Sequence, residues 1–175
     1  PSVGLMQPWR VIRIASSEVR QQLHTLVEQE RVKTAQALGE RTDEFMQLKV
    51  QGILECAEVW VVSLMDQRER HIFGRRTMGN MDLASASCAI QNVWLAARAE
   101  GIGMGWVSIF DPSEVRQLLA MPSGSEPIAI LCLGQVDAFY QQPMLIEEGW
   151  AERGQLSDYV MQDRWDTDKA QRSQE

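Results

Sequence analysis

Histidine is nearly missing from this chain of 175 residues, which holds only His24 and His71. A Ser-His-Asp triad or a histidine-bound metal therefore has little to draw on, and both histidines read as solvated. The three cysteines, Cys56, Cys88 and Cys132, are odd in number, widely spaced and set in apolar runs. That arrangement supports neither a disulfide framework nor a zinc cluster, and the three read as buried thiols in a reducing cytoplasm. No apolar run approaches the roughly 18 residues of a membrane span, and no charged-then-apolar leader is present. An excess of positive charge is lacking too: 17 Lys and Arg against 24 Asp and Glu give a net charge of −7. A nucleic-acid backbone is thereby disfavoured as the main partner, because phosphate binding needs a net positive face. There is no P-loop and no Gly-x-Ser-x-Gly elbow around Ser108. The glycines at 101, 103 and 105 follow a helix pattern rather than a strand, the wrong order for dinucleotide binding.

What is present is enough apolar content, 45% of residues, for one domain with a sizeable core. The first nine residues, Pro-Ser-Val-Gly-Leu-Met-Gln-Pro-Trp, are a dense turn signature without an initiator Met, so the chain reads as cut or processed at its start. Trp9 to Ile14 reads as a strand, and a helix capped by Ser16 or Ser17 runs to Leu38, where Gly39 closes it. Thr42-Asp43-Glu44 opens a second helix carrying Phe45, Leu48, Ile53 and Leu54. Glu58 to Met65 is continuously apolar and reads as a strand buried on both faces. Residues 67–80 read as a charged loop, and Met81 to Glu100 as a helix apolar nearly all round, covered by its neighbours or by a second copy. Residues 103–109 form a glycine-containing strand, and Asp111-Pro112-Ser113-Glu114 starts a helix reaching Ala120. Residues 127–134 are another buried strand, 141–154 a loop-like extension and 156–162 a short helix. Without regular alternation of βα units, the class is α+β, with helices packed on a small mixed or antiparallel sheet. Residues 1–165 make a single domain and 166–175 a disordered polar tail.

The segments able to hold a planar, phosphorylated ligand are the opening loop of residues 2–7, the glycine-rich edge ending at Ser108, the loop carrying Arg75 and Arg76, and Arg153. Taken singly, each glycine reads as a turn and each arginine as part of a solvated face. Together they favour a ligand site.

Residues 1–9, Gly-Arg-Arg-Thr-Met-Gly-Asn-Met-Asp-Leu (74–83), the run 89–109 ending Gly-Trp-Val-Ser-Ile, Leu-Cys-Leu-Gly (131–134) and Gly-Trp-Ala-Glu-Arg (149–153) resemble the nitroreductase superfamily. Within it they are similar to the BluB-type 5,6-dimethylbenzimidazole synthases, over roughly residues 1–160. The resemblance implies a dimeric nitroreductase-like fold with flavin sites at the subunit interface. It implies reduced FMN as substrate rather than recycled cofactor, fragmented with dioxygen to 5,6-dimethylbenzimidazole, the lower ligand of cobalamin, and erythrose 4-phosphate. A separate flavin reductase supplies the reduced flavin, in the cytoplasm. By position, Ser108 matches the serine beside the isoalloxazine and is the catalytic nominee, Ser2, Gly4 and Gln7 fall on the loop approaching the flavin, and Arg153 meets the phosphate. Arg75 and Arg76 either border the pocket or sit on an exposed structural loop. The family carries an Arg-Arg-Asp-x-Arg segment and a helix upstream of the opening loop, and neither is in this sequence. Gly79 and Asn80 stand where relatives have a proline turn, and Ala84 where an aromatic residue is common. Two other readings stay open: an FMN-dependent NAD(P)H nitro or quinone reductase, and a flavin-binding protein with impaired catalysis.

Overall fold

The computed structural model describes residues 1–47, 50–167 and 170. These divide into two compact units, residues 1–137 and the residues from Ala138 onward.

The first unit is built on four strands, β1 (Trp9–Ile14), β2 (Glu58–Leu64), β3 (Ile102–Val107) and β4 (Glu126–Gln135), in the order β1-β2-β4-β3. Every pairing is antiparallel, so of the mixed or antiparallel sheet expected from the sequence only the antiparallel form is found. β2 and β4 are central. Val59, Val61 and Ile130 are fully buried on one face, and Val62, Ala129 and Leu131 are buried on the other. That two-sided demand recruits helices to both faces.

Helix α1 (Ser17–Ala37) is capped by Ser16, whose hydroxyl accepts from the Val19 amide at 3.3 Å. It buries Leu23, Val27, Arg31 and Ala35, one residue per turn on a single stripe. Gly39, at φ +59°, ends it in the left-handed region. The helix expected from Thr42 onward breaks in two, α2 (Thr42–Met46) and α3 (Gly52–Glu55), and Leu48 lies outside the described residues. One cause is Arg31: its guanidinium donates to the Met46 carbonyl at 2.5 Å and pairs with Glu28 at 2.7 Å. The C-terminal carbonyl of α2 is thus satisfied by a side chain rather than by further helix. Gly52, a poor helix former, then begins the next short turn.

Helix α4 (Met81–Ala99) covers the opposite face through Ile90 and Ala97. Its neighbours in this chain cover only part of the apolar surface expected from the sequence: Leu83, Trp94 and Leu95 are exposed, Leu95 at 58%. Helix α5 (Pro112–Leu118) begins as its sequence dictates, with the Asp111 carboxylate accepting from Ser113 N at 2.7 Å and Pro112 at the first position. In the second unit the expected extension contains a turn of helix, α6 (Met144–Glu147), and the final helix is shorter than expected, α7 (Leu156–Tyr159), because Val160 is already extended. Most of the expected tail, residues 168–169 and 171–175, lies outside the described residues.

Two further expectations change. Cys88 is exposed, and Cys56 and Cys132 are half-buried rather than fully buried. Burial, and then the adjacent Cys56 thiol, push the Cys132 thiol up to about 12. The His24 side chain is only 16% exposed and lies 3.8 Å from Glu28, so it is not solvated as expected.

On the surface of β1 and β2, Arg13 grips Glu58 with two hydrogen bonds of 2.5 Å, and the Trp60 indole donates to the same carboxylate at 3.3 Å. The Arg13 hydrogen bond is the largest cause that holds the Glu58 carboxyl at about 2, below the ordinary 4.5. A depressed folded-state value means that this stabilisation is present above 4.5 and is lost as the pH falls through about 2. Titration of Glu58 followed by NMR is expected to show a midpoint near 2, returning toward 4.5 in Arg13→Ala. An unchanged midpoint in that variant would refute the assignment.

Candidate functional site

Strand direction decides where the chemistry collects. β1 opposes β2, β2 opposes β4 and β4 opposes β3, so the start of β1, the end of β2, the start of β4 and the end of β3 share one end of the sheet. The register shows it: Trp9 faces Leu64, Leu64 faces Glu126, and Val107 faces Ile130. The opening loop, the loop after β2 with Arg75 and Arg76, and Ser108 therefore emerge at the same end. β1 and β3 are the two outer strands, so three strand spacings, roughly 14 Å across the sheet, lie between the strand that follows the opening loop and the strand that ends before Ser108.

The opening loop is a tight 3₁₀ turn at Val3–Leu5. The Leu5 amide donates to Ser2 O at 3.2 Å, Met6 N to Val3 O at 2.9 Å and Gln7 N to Ser2 Oγ at 3.0 Å. Three of its residues are left-handed, Gly4 at φ +51°, Leu5 at +53° and Gln7 at +47°. Two of them carry side chains, which disfavours that conformation, so the surroundings must hold the loop in place. They do so from behind. The Val3 amide donates to Ser85 Oγ at 3.0 Å, and Ser85, buried on α4, donates in turn to Met81 O at 2.6 Å. A Cβ on Gly4 would lie 2.6 Å from the Phe73 ring and 3.3 Å from the Phe73 carbonyl, and one on Gly74 would lie 2.2 Å from Val3. The two loops interlock through these two glycines.

The loop after β2 is itself tied down by charge. Asp82 in the first turn of α4 is 4% exposed and receives Arg68 Nε at 2.9 Å and an Arg75 nitrogen at 3.1 Å. Arg68 also donates to Met65 O at 2.6 Å and to Gly124 O at 2.9 Å, and pairs with Glu126 at 3.2 Å. Arg75 also donates to the carbonyls of Arg68 and Gly79. Arg75 is thus committed to the scaffold, whereas Arg76 is exposed with no side-chain partner among the described residues.

Among the nominated residues, the structure brings Ser2, Gly4 and Gln7 together in one loop and sets Ser108 at the same sheet end. Ser108 lies just past β3, is exposed, and its hydroxyl has no hydrogen-bond partner among the described residues. The Gln7 side chain and the Gly4 amide are likewise uncommitted and open to solvent. Arg153 belongs to the second unit and is exposed there. A hydroxyl, a carboxamide, a backbone N–H and free guanidinium groups are the donors that suit the heteroatom edge of a planar ring and a phosphate. Sequence reasoning missed Ser85, Asp82 and Arg68. The available signal was an Asp in a helix's first turn directly after an arginine-rich loop. Among the described residues no group of His, Cys, Asp and Glu is arranged to hold a metal ion, and no helix is long and apolar enough to cross a membrane. A cleft of about 470 Å³ also opens near this end, between Arg10, Ser63, Asp66, Met121 and Ser125. None of the nominated residues lines it.

Residues 1–135 match the family model described as "Nitroreductase family". The chain belongs to that family. The matched region takes in the opening loop, the loop after β2 and Ser108, and stops before Arg153. This nitroreductase-family chain is 36% identical over 154 residues to a 5,6-dimethylbenzimidazole synthase of Rhodobacter capsulatus, covering 87% of this chain and 74% of that protein. It is 34% identical over 155 residues to the synthase of Rhodospirillum rubrum, again covering 87% and 74%. Among solved structures it is similar to iodotyrosine deiodinase bound to FMN and 3-iodo-L-tyrosine, at a TM-score of 0.69 and 18% identity, covering 94% of this chain and 80% of that one. The NADPH:FMN oxidoreductase of Vibrio harveyi, complexed with NAD+, gives 0.66 and 18%, covering 98% and 67%. At those identities the solved structures speak for the fold, and the nitroreductase-like α+β architecture expected from the sequence is borne out.

The left-handed backbone makes Gly4 a direct test of the loop. Gly4→Ala is expected to cost about 1–2 kcal/mol from the φ alone, measured by urea unfolding. Adding Phe73→Ala should relieve the clash with the ring and leave the backbone cost in place. Full recovery in the double variant would show that the conformation itself costs nothing.

Proposed function

We propose that this chain is a BluB-type 5,6-dimethylbenzimidazole synthase, which converts reduced FMN and dioxygen to 5,6-dimethylbenzimidazole and erythrose 4-phosphate. The observation that carries the reading is the 36% and 34% identity to named synthases over 87% of the chain. The uncommitted donors at one end of the sheet agree with it. Reduced FMN supplies both the electrons and the carbon skeleton of the product, so a nicotinamide site is not required and a separate reductase delivers the flavin.

In this reading each residue of the chain has a defined task. Ser108 presents its free hydroxyl to the ring, where it can give or take a proton at Oγ. The opening loop lays Ser2, Gly4 and Gln7 along the ring, with the Gly4 amide and the Gln7 carboxamide as donors. Arg153 meets the phosphate as a two-pronged donor. The interlocked loops behind the site keep the opening loop from collapsing, and a site closed around the flavin keeps bulk water from the reacting centre. The three free cysteines suit the reducing cytoplasm that the reading implies.

The reading includes a homodimer with sites at the subunit interface. Exposed apolar residues on α4 (Leu83, Trp94 and Leu95) and on β3 (Ile102 and Trp106) support it. A second copy would also close the distance between the opening loop of one chain and Ser108 of the other. Sedimentation should show a dimer, and Leu95→Glu a monomer. A wild-type monomer at the concentrations of assay would refute this part.

The activity test supplies photochemically reduced FMN under nitrogen, admits air and follows 5,6-dimethylbenzimidazole by chromatography. Product is expected from the wild type, and Ser108→Ala should lower its rate of formation about a hundredfold. Absence of product, combined with steady NAD(P)H oxidation on a nitroaromatic or quinone, would replace the synthase with a reductase. Binding of FMN with neither activity would leave a flavin-binding protein.

A further inference from the structure

Asp82 takes no part in the site as assigned, yet it is the most buried acidic side chain described in the molecule and its carboxylate is the point on which two arginines converge. Removing two guanidinium groups and a carboxylate from water is costly, and a fold retains such a cluster only with good geometry and further hydrogen bonds. Both are present. Arg68 spreads its remaining donors over the end of β2 and the start of β4, through Met65 O, Gly124 O and Glu126. Arg75 spreads its own over the Arg68 and Gly79 carbonyls, which close the loop on itself. One carboxylate on α4 therefore fixes where residues 67–80 run.

Those residues are the back wall of the opening loop. Phe73 lies against Gly4 and Gly74 against Val3, close enough that a methyl group on either glycine would collide. Three residues beyond Asp82 on the same helix, the Ser85 hydroxyl takes the Val3 amide. Asp82 and Ser85 share a helix face, so α4 seats the opening loop twice: directly through Ser85, and at one remove through Asp82, Arg75 and the wall they hold. Because Leu5 and Gln7 are held left-handed despite their side chains, a loop released from this seat has more favourable conformations to adopt.

We propose that Asp82 is a positioning residue that sets the conformation of the opening loop through Arg68, Arg75 and the Phe73–Gly74 wall, and thereby sets flavin affinity. The second clause rests on the functional reading above; the first does not.

Hydrogen exchange in the peptide 1–9 tests the first clause. Relative to wild type, Asp82→Asn and Arg75→Met are expected to speed exchange there about tenfold, the effect of losing one charged seating interaction. Ser85→Ala, which leaves the arginine cluster intact, should speed exchange in the same peptide but not in residues 67–80. Unchanged exchange at 1–9 in both Asp82→Asn and Arg75→Met overturns the proposal. If Asp82→Asn does not fold, Arg75→Met decides, since Asp82 there keeps its Arg68 partner.

The FMN dissociation constant, read by flavin fluorescence on the folded protein, tests the second clause. It should rise about tenfold in the two cluster variants, while a role confined to stability would lower the thermal midpoint and leave this constant unmoved. Looser loops with unchanged affinity overturn the second clause. A wild type that binds no FMN overturns the functional reading instead, and the exchange result still judges the seat.

Discussion

Everything in this unit follows from two strands that have nothing to offer water on either side. β2 and β4 present Val59, Val61 and Ile130 to one face and Val62, Ala129 and Leu131 to the other, all but fully buried. At roughly 25 cal/mol for each Å² of apolar surface withdrawn from water, leaving either face bare would outweigh the modest stability of a domain this size. Helices α1 and α5 must therefore cover one side and α4 the other, and polar chemistry is driven to the ends of the strands. The antiparallel order then selects which end, because it gathers the opening loop, the arginine loop and Ser108 together and sets the tight turn at Gly101 and the Arg13–Glu58 pair at the other.

At that end the polar groups divide into two kinds with different work. Ser85, Asp82 and Arg68 are occupied by internal partners, and Arg75 spends both terminal nitrogens the same way, only its buried Nε having no partner among the described residues. Gln7, the Gly4 amide and Ser108 have their capacity left over. This division is what a binding surface needs, since a donor already satisfied within the protein gains little by turning to a ligand, whereas one facing water exchanges partners at small cost. An arginine-rich loop beside a site invites the assumption that all its arginines bind the ligand. Arg75 shows otherwise: it holds the wall, and the charge it would offer is already neutralised by Asp82.

How much of this was legible in the residues depended on the range of the interaction involved. Caps and breaks are local, and Ser16, Gly39 and the Asp111-Pro112 start fell where the sequence put them, as did all four strands to within two residues. The division between α2 and α3 was not legible, because one group that satisfies the end of α2 is Arg31, fifteen residues earlier on another helix. The half-buried state of His24 and the exposure of Cys88 escaped for a related reason: each depends on which side of a helix meets the sheet, and that is a tertiary outcome. The opening loop was readable as a tight turn from Ser2, Gly4 and Pro8. What seats it was not, since the Val3–Ser85 bond spans 82 positions and the Gly4–Phe73 approach depends on two loops meeting. The resemblance to a family supplied Ser108 as a nominee, and the structure adds that its hydroxyl has no hydrogen-bond partner among the described residues.

The arginine that follows the opening loop bears on a different property, the fate of an unpaired sheet margin. β1 is an outer strand, and the carbonyls along its free side are acceptors that a neighbouring chain could zip onto. Pro8 O points inward to the Met65 amide, so the next carbonyl, that of Trp9, points outward. Arg10 folds back and donates to that carbonyl at 2.7 Å and to Gln7 O at 3.2 Å, occupying the first rungs with its own guanidinium. Strand addition over these first rungs would have to displace a charged donor. The same residue thus guards the molecule against edge-to-edge stacking just where the loop before it has to stay open.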